Sequence, residues 1–174
     1  MLRSVLLIER LFEIGGLRLD TKEIERLATL YLDCIFRVAF SSCRNYADAE
    51  DVVQNTFMKL LERKECFTED VKAKYWLIRV TLNECNSMWR SPWKQRVAST
   101  EDLPWEPVFE CSEQSDLYFA VKELPVKYRQ VVHLYYFEDY SVKEIAGLLK
   151  VSETAVQTRL LRARQKLKES LKEM

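Results

Sequence analysis

Residues 126–171 read VKYRQVVHLYYFEDYSVKEIAGLLKVSETAVQTRLLRARQKLKESL, and their pattern decides how the rest of the chain is read. Ser141 and Glu144 form a capping box, in which the serine oxygen accepts a backbone N–H and the glutamate reaches back to the serine N–H. Ile145, Ala146, Leu148 and Leu149 make the short helix that follows apolar on its inner side. Lys150-Val151 interrupts that helix, and Ser152 offers a second N-cap. Val156, Leu160, Ala163, Leu167 and Leu171 then recur at spacings of 4, 3, 4 and 4, which is one continuous buried face. The remaining faces carry Thr154, Gln157, Thr158, Arg159, Arg162, Arg164, Lys166 and Lys168, with no acid between Glu153 and Glu169. A short capped helix, a tight turn and a longer basic helix describe a helix-turn-helix, whose second helix enters the DNA major groove. The bland alternative is a solvated cationic face, since basic amphipathic helices are common.

Working outward, the whole chain reads as all-α. Its only glycines are Gly15, Gly16 and Gly147, where average usage of about 7% predicts about twelve. That scarcity, with repeated 3–4 spacing of apolar residues, argues against hairpins and their glycine turns. At 174 residues, with 48% hydrophobic and 31% charged residues, the chain is long enough for one domain or two small ones. The net charge is zero, but its distribution is uneven. Residues 99–124 hold 1 basic and 7 acidic residues, whereas residues 125–174 hold 10 and 6. An acidic middle therefore masks a basic C-terminal unit, and a phosphate backbone responds to the local field rather than to the total.

Residues 22–40 read as the first strong helix, with Ile24, Leu27, Tyr31, Cys34 and Val38 on one face and Leu30, Phe36 and Phe40 on another. The next helix starts at Asp48 as N-cap, with acids Glu50 and Asp51 in its first turn, where the helix dipole favours them. Opposite its apolar face run Asp51, Gln54, Asn55 and Glu62, an acid-and-amide stripe. It reads as a plain solvated face or as a dock for a basic helix. In the third helix, residues 71–90, Val71, Tyr75, Ile78, Leu82, Cys85 and Trp89 define the core side. Its other side carries Lys72, Trp76, Arg79, Asn83, Asn86 and Arg90. Basic, amide and aromatic groups on one stripe suit nucleic acid, since arginines hold phosphates, amides read base edges and an aromatic stacks on an unpaired base. Trp76 reads equally well as half-buried core.

Residues 91–115 contain three of the four prolines and most of the acidic excess, and read as an extended linker in which Trp93, Trp105 and Phe109 offer docking groups. A helix resumes over residues 116–124, and Pro125 suits the first turn of another. The opening MLRSVLLIERLF reads as an amphipathic helix ended by Gly15-Gly16, packed on the protein or attached at a membrane surface, and not as a signal peptide or a span. Five cysteines lie scattered without a C-x-x-C pair, and His133 is the single histidine. The spacing predicts no metal site, no cofactor site and no catalytic set. Cys34 and Cys85 read as buried thiols of a reducing compartment.

Three motifs carry a family resemblance. Residues 48–57 (DAEDVVQNTF), residues 75–83 (YWLIRVTLN) continuing to Arg90, and the set Leu124-Pro125, Tyr140-Ser141, Glu144-Ile-Ala146 and residues 152–167 occur in that order and spacing. In this the chain resembles bacterial RNA polymerase sigma factors of the extracytoplasmic-function type, from about Glu23 to Leu171. The resemblance implies an N-terminal extension over residues 1–21, a region 2 domain over 22–90, a linker over 91–115 and a region 4 helix-turn-helix domain over 116–174. It implies a cytoplasmic, non-catalytic factor that binds core RNA polymerase, through the β′ clamp coiled coil and the β flap, and directs it to promoter DNA. An anti-sigma factor is a further partner class, since many relatives have one. Asp48, Asp51, Gln54 and Asn55 would contact polymerase, with Asn55 standing where glutamate is usual. Trp76, Arg79, Asn83, Asn86 and Arg90, with the loop over residues 66–70, would capture and melt the promoter −10 element. Ser87 there replaces a frequent aspartate. Ser152, Thr154, Gln157, Thr158, Arg159 and Arg162 would read or clamp the −35 element, behind a turn where Lys150 replaces a common glycine. The acidic linker would thread near the template channel. The rival reading is a stand-alone helix-turn-helix regulator that never joins polymerase.

Overall fold

The computed structural model describes residues 21–63, 65–90 and 112–173, and they form seven helices with no strand. Three make the first unit: α1 (Thr21–Cys43), α2 (Tyr46–Leu61) and α3 (Asp70–Arg90). Four make the second: α4 (Ser112–Glu123), α5 (Val126–Tyr136), α6 (Val142–Leu149) and α7 (Glu153–Glu173). The all-α expectation holds. The readings of residues 1–20 and 91–111 lie outside the described residues.

Local chemistry explains most helix ends. The N–H of Arg44, in left-handed backbone at φ 68°, bonds the Phe40 carbonyl at 3.0 Å and ends α1. Asn45 then caps α2, its side-chain oxygen accepting the Asp48 N–H at 3.0 Å. This corrects the expectation of Asp48 as N-cap: the aspartate lies inside the first turn and is 8% exposed. Ser141 and Glu144 close both halves of the predicted capping box. Lys150 takes the left-handed conformation at φ 53° and ends α6, and the Val151 N–H reaches back to the Ala146 carbonyl at 3.0 Å. Ser152 accepts the Ala155 N–H at 3.1 Å and caps α7. The helix expected from residue 116 begins at Ser112.

Packing follows the apolar periods with three corrections. The buried side of α3 is Ala73, Leu77, Ile78, Leu82 and Cys85, with Thr81 among them. Val71, expected in the core, is 76% exposed, and the buried side of that turn is taken by Ala73. Buried Thr56 and Thr81 each donate to the carbonyl four residues back, at 2.8 Å, so neither hydroxyl lacks a partner. On α7 the stripe of Val156, Leu160 and Ala163 is buried, but it fades at Leu167 and Leu171 is exposed, where no described helix covers the last turns. On α1, Leu30 is exposed while Phe36 and Phe40 are half-buried.

The two units share one core. Val131, Leu134, Ile145, Leu148, Val156 and Leu160 of the second join Leu27, Ile35, Val38 and Leu77 of the first in a single apolar cluster. α1 packs on α5, and α3 on α6. At the α3–α6 contact a Cβ added to Gly147 would lie 2.5 Å from the Tyr75 hydroxyl, so only glycine fits without a shift. Three polar groups stitch the seam. Arg129, 2% exposed, donates to the carbonyls of Ser41, Ser42, Lys122 and Leu124. Burial, reinforced by the charge of Arg44, lowers its guanidinium to about 10. Gln130 bridges Ser42 and Asn86, at 3.3 and 3.4 Å. Glu138 reaches from the second unit to Arg37 at 3.0 Å, Cys34 at 3.1 Å and Lys74 at 3.8 Å in the first. Burial pushes this carboxyl up, but the bonds from Cys34 and Arg37 and the charge of Arg37 outweigh it and hold the group at about 2.

Candidate functional site

Of the four residues expected to meet a protein partner, three share a surface. Asp51, Gln54 and Asn55 are exposed on α2 at helical spacing, so their side chains project from one face. Asp48 does not join them. Its position in the first turn points it inward, which removes it from the stripe.

The α3 set divides by burial. Asn83 is exposed, Trp76, Arg79 and Asn86 are half-buried, and Arg90 lies in the last turn with its side chain outside the described residues. Trp76 is neither plain core nor free. Its ring meets Phe67 at 5.7 Å with a 56° tilt. The guanidinium of Arg63 stands 4.4 Å from the Phe67 centroid and 5.4 Å from that of Trp76. A cation over two aromatic faces is mutually attractive and holds both rings beside the loop before α3. The sequence reading missed Arg63, and it included Phe67 only as part of the loop over residues 66–70, without naming it. The one available signal was an aromatic at residue 67 inside a loop otherwise made of polar residues and Cys66. Asn86 is engaged across the seam, accepting from Gln130.

On α7, Thr154, Gln157, Thr158 and Arg162 are exposed and Arg159 is half-buried. The Ser152 oxygen is committed to the cap, and the Thr158 hydroxyl donates to the Thr154 carbonyl at 2.8 Å. The Arg162 guanidinium beside Tyr128 holds that phenol below its ordinary range. Arg164, also exposed, donates to the Tyr136 hydroxyl at 2.8 Å. The helix therefore presents amide, hydroxyl and guanidinium groups at its N-terminal half, which is the part of a recognition helix that reaches base edges.

One residue of each set meets the other. Asn86 of α3 and Arg159 of α7 line one cleft of about 450 Å³, together with Lys127 and Gln130. His133 is a packing residue, stacked on Phe137 at 5.4 Å with its Nε2 3.6 Å from Glu138, in ion-pair range but too long for a hydrogen bond. Among the described residues no three His, Cys, Asp or Glu side chains gather as a metal would require. Nor is any described helix long and apolar enough to cross a membrane.

Comparison with known proteins places both units. Residues 27–95 match the family model described as Sigma-70 region 2, and residues 114–167 match Sigma-70, region 4. RNA polymerase sigma factor SigV of Bacillus subtilis is 31% identical over 130 residues, covering 74% of this chain and 78% of that one. The RNA polymerase sigma-E factor of Streptomyces coelicolor is 31% identical over 156 residues, covering 87% and 88%. Among solved structures, the sigma factor RpoE of Bartonella quintana, in complex with the anti-sigma factor NepR, superposes with a TM-score of 0.72. It is 25% identical, with 87% of this chain and 98% of that one covered.

Proposed function

The chain belongs to the sigma-70 family as a sigma factor of the extracytoplasmic-function type, and on that premise we propose how its residues divide the work of directing RNA polymerase to promoters. Asp51, Gln54 and Asn55 form the part of α2 that meets the β′ clamp coiled coil of core polymerase, and Asp48 is left out because it is buried. The exposed acids and amides suit a basic partner helix.

Trp76, with Phe67 and Arg63 beside it, supplies a stacking platform for an unpaired −10 base. Asn83 and Asn86 offer amides to base edges, while Arg79 and Arg90 hold phosphates. On α7, Thr154 and Gln157, with Thr158, read the −35 major groove. Arg159 and Arg162 clamp it, and the capped helix N-terminus turns free N–H groups toward a phosphate. The factor performs no catalysis of its own and works in the cytoplasm, where polymerase and promoter DNA are.

The observation that carries this reading is the coexistence of a capped, basic-faced α7 with an acid-and-amide stripe on a separate unit. A stand-alone DNA-binding regulator has no use for the second. In vitro transcription with purified core polymerase on genomic fragments, followed by start-site mapping, tests it. Specific initiation is expected; binding to DNA with no initiation on any fragment would overturn it.

The two units are closed on one another around a shared core. The names −10 and −35 separate the two elements by about 25 base pairs, roughly 85 Å at about 3.4 Å per step. Asn86 and Arg159 line a single cleft, so the units part before both elements are read. The RpoE relative is seen bound to the anti-sigma factor NepR, which supports an anti-sigma factor as the partner class that holds this chain closed.

A further inference from the structure

Cys43 and Cys85 bring their sulfurs to 3.8 Å where the last turn of α1 packs on the second half of α3. Both thiols are buried, and neither belongs to the DNA-facing or polymerase-facing groups. A disulfide is about 2.0 Å long, so the sulfurs need to close by about 2 Å, a matter of side-chain rotation and a small helix shift.

The surroundings favour chemistry at this pair. The Arg129 guanidinium is bonded to carbonyls and lies within charge range of Cys43, which Arg44 follows in the chain. The thiolate is the nucleophilic form of cysteine. Cys34 is the internal contrast, because burial and the Glu138 carboxylate at 3.1 Å push its thiol up to about 12. An apolar cavity of about 240 Å³ is lined in part by Ser41, Arg44 and Arg129, so its wall includes a chain neighbour of Cys43, while the sulfurs themselves stay buried.

We propose that Cys43 and Cys85 form a reversible disulfide site, closed by hydroperoxides and opened by thiol reductants. The Cys43 thiolate attacks a peroxide oxygen, the O–O bond breaks, and the departing hydroxide takes up a proton as water. Cys85 then attacks the resulting sulfenic sulfur, and the second oxygen leaves as water. In sum, two thiols and one hydrogen peroxide give one disulfide and two waters. A dithiol returns the two electrons and two protons. Ser42 and Asn86, next to the two cysteines in the chain, are the residues that Gln130 bridges from the second unit. The bond therefore forms directly under the seam, and in a reducing compartment it is transient.

The test treats the full chain with hydrogen peroxide under native conditions, quenches with an alkylating agent, and reads intact mass and peptide maps. The expected product is a monomer lighter by two hydrogens, cross-linked between Cys43 and Cys85 and restored by dithiothreitol. The pair should react at least about tenfold faster than Cys34. Cys66→Ala with Cys111→Ala should leave the reaction intact, while Cys85→Ser should let a dimedone-type reagent trap sulfenic acid at Cys43. Oxidation confined to Cys66 or Cys111 in the folded parent chain would overturn the proposal. So would a Cys43–Cys85 bond that appears only in denaturant.

Discussion

At the residue scale, two positions act against their own type. Lys150 ends α6 in left-handed backbone, a conformation that strains any residue with a Cβ by about 1 kcal/mol. Lys150→Gly should stabilise the protein by up to about 0.5 kcal/mol, after the greater unfolded-state freedom of glycine is subtracted. Thermal unfolding checks this, and an unchanged or lower midpoint would contradict it. Glu138 is a buried carboxylate held ionised by its neighbours. Its folded value, about 2, lies below the ordinary one, so its contribution to stability is present above about pH 4.5 and is lost as pH falls toward 2. Glu138→Gln should therefore destabilise the chain at neutral pH, and the gap in midpoint to the parent should narrow steadily from pH 4.5 downward. A gap that stays constant with pH would mean that the negative charge of Glu138 is not what holds the seam.

At the element scale, the helices were legible because their signals are short-range. The Ser141–Glu144 box and the Ser152 cap each lie within four residues, and so does the 3–4 spacing of Val156, Leu160 and Ala163. Where the reading slipped, a neighbour had outcompeted the expected group. Asn45 took the cap of α2 that Asp48 was assigned, since both residues are good caps and only the backbone turn at Arg44 decides between them. Spacing carried no sign of Arg63 and Phe67, because a loop has no period to reveal which of its side chains will meet Trp76. Each candidate face yields its own prediction. Replacing Asp51 and Gln54 with alanine should weaken binding to core polymerase while leaving the circular dichroism and DNA affinity of the isolated chain unchanged. Arg159→Ala with Arg162→Ala should do the reverse, abolishing −35 selection and lowering the salt slope of DNA binding by up to about 2. Equal losses in both assays from either pair would mean that the faces are not separate.

At the scale of the whole molecule, the seam between the units is the decisive feature, and Gly147 is its simplest probe. Alanine there should strengthen helix α6 by about 1 kcal/mol, but its Cβ meets the Tyr75 hydroxyl at 2.5 Å. Gly147→Ala should thus gain little stability and should loosen the α3–α6 contact, seen as a larger radius of gyration in scattering and as faster binding to core polymerase. Tyr75→Phe leaves the ring carbon at 3.8 Å, an ordinary contact, so in that background the same change should become stabilising. Identical effects in both backgrounds would show that the contact does not govern opening. The sequence by itself determined the all-α class, the helix-turn-helix, its caps and the faces that carry charge, because each depends on residues a turn or two apart. Only the tertiary structure decided that Glu138 and Arg129 are buried seam residues, that Asp48 turns inward, and that Asn86 and Arg159 line one cleft. Glu138 and Arg37 are 101 positions apart. Burial of a charge at that separation is set by how whole helices pack, which no local pattern records.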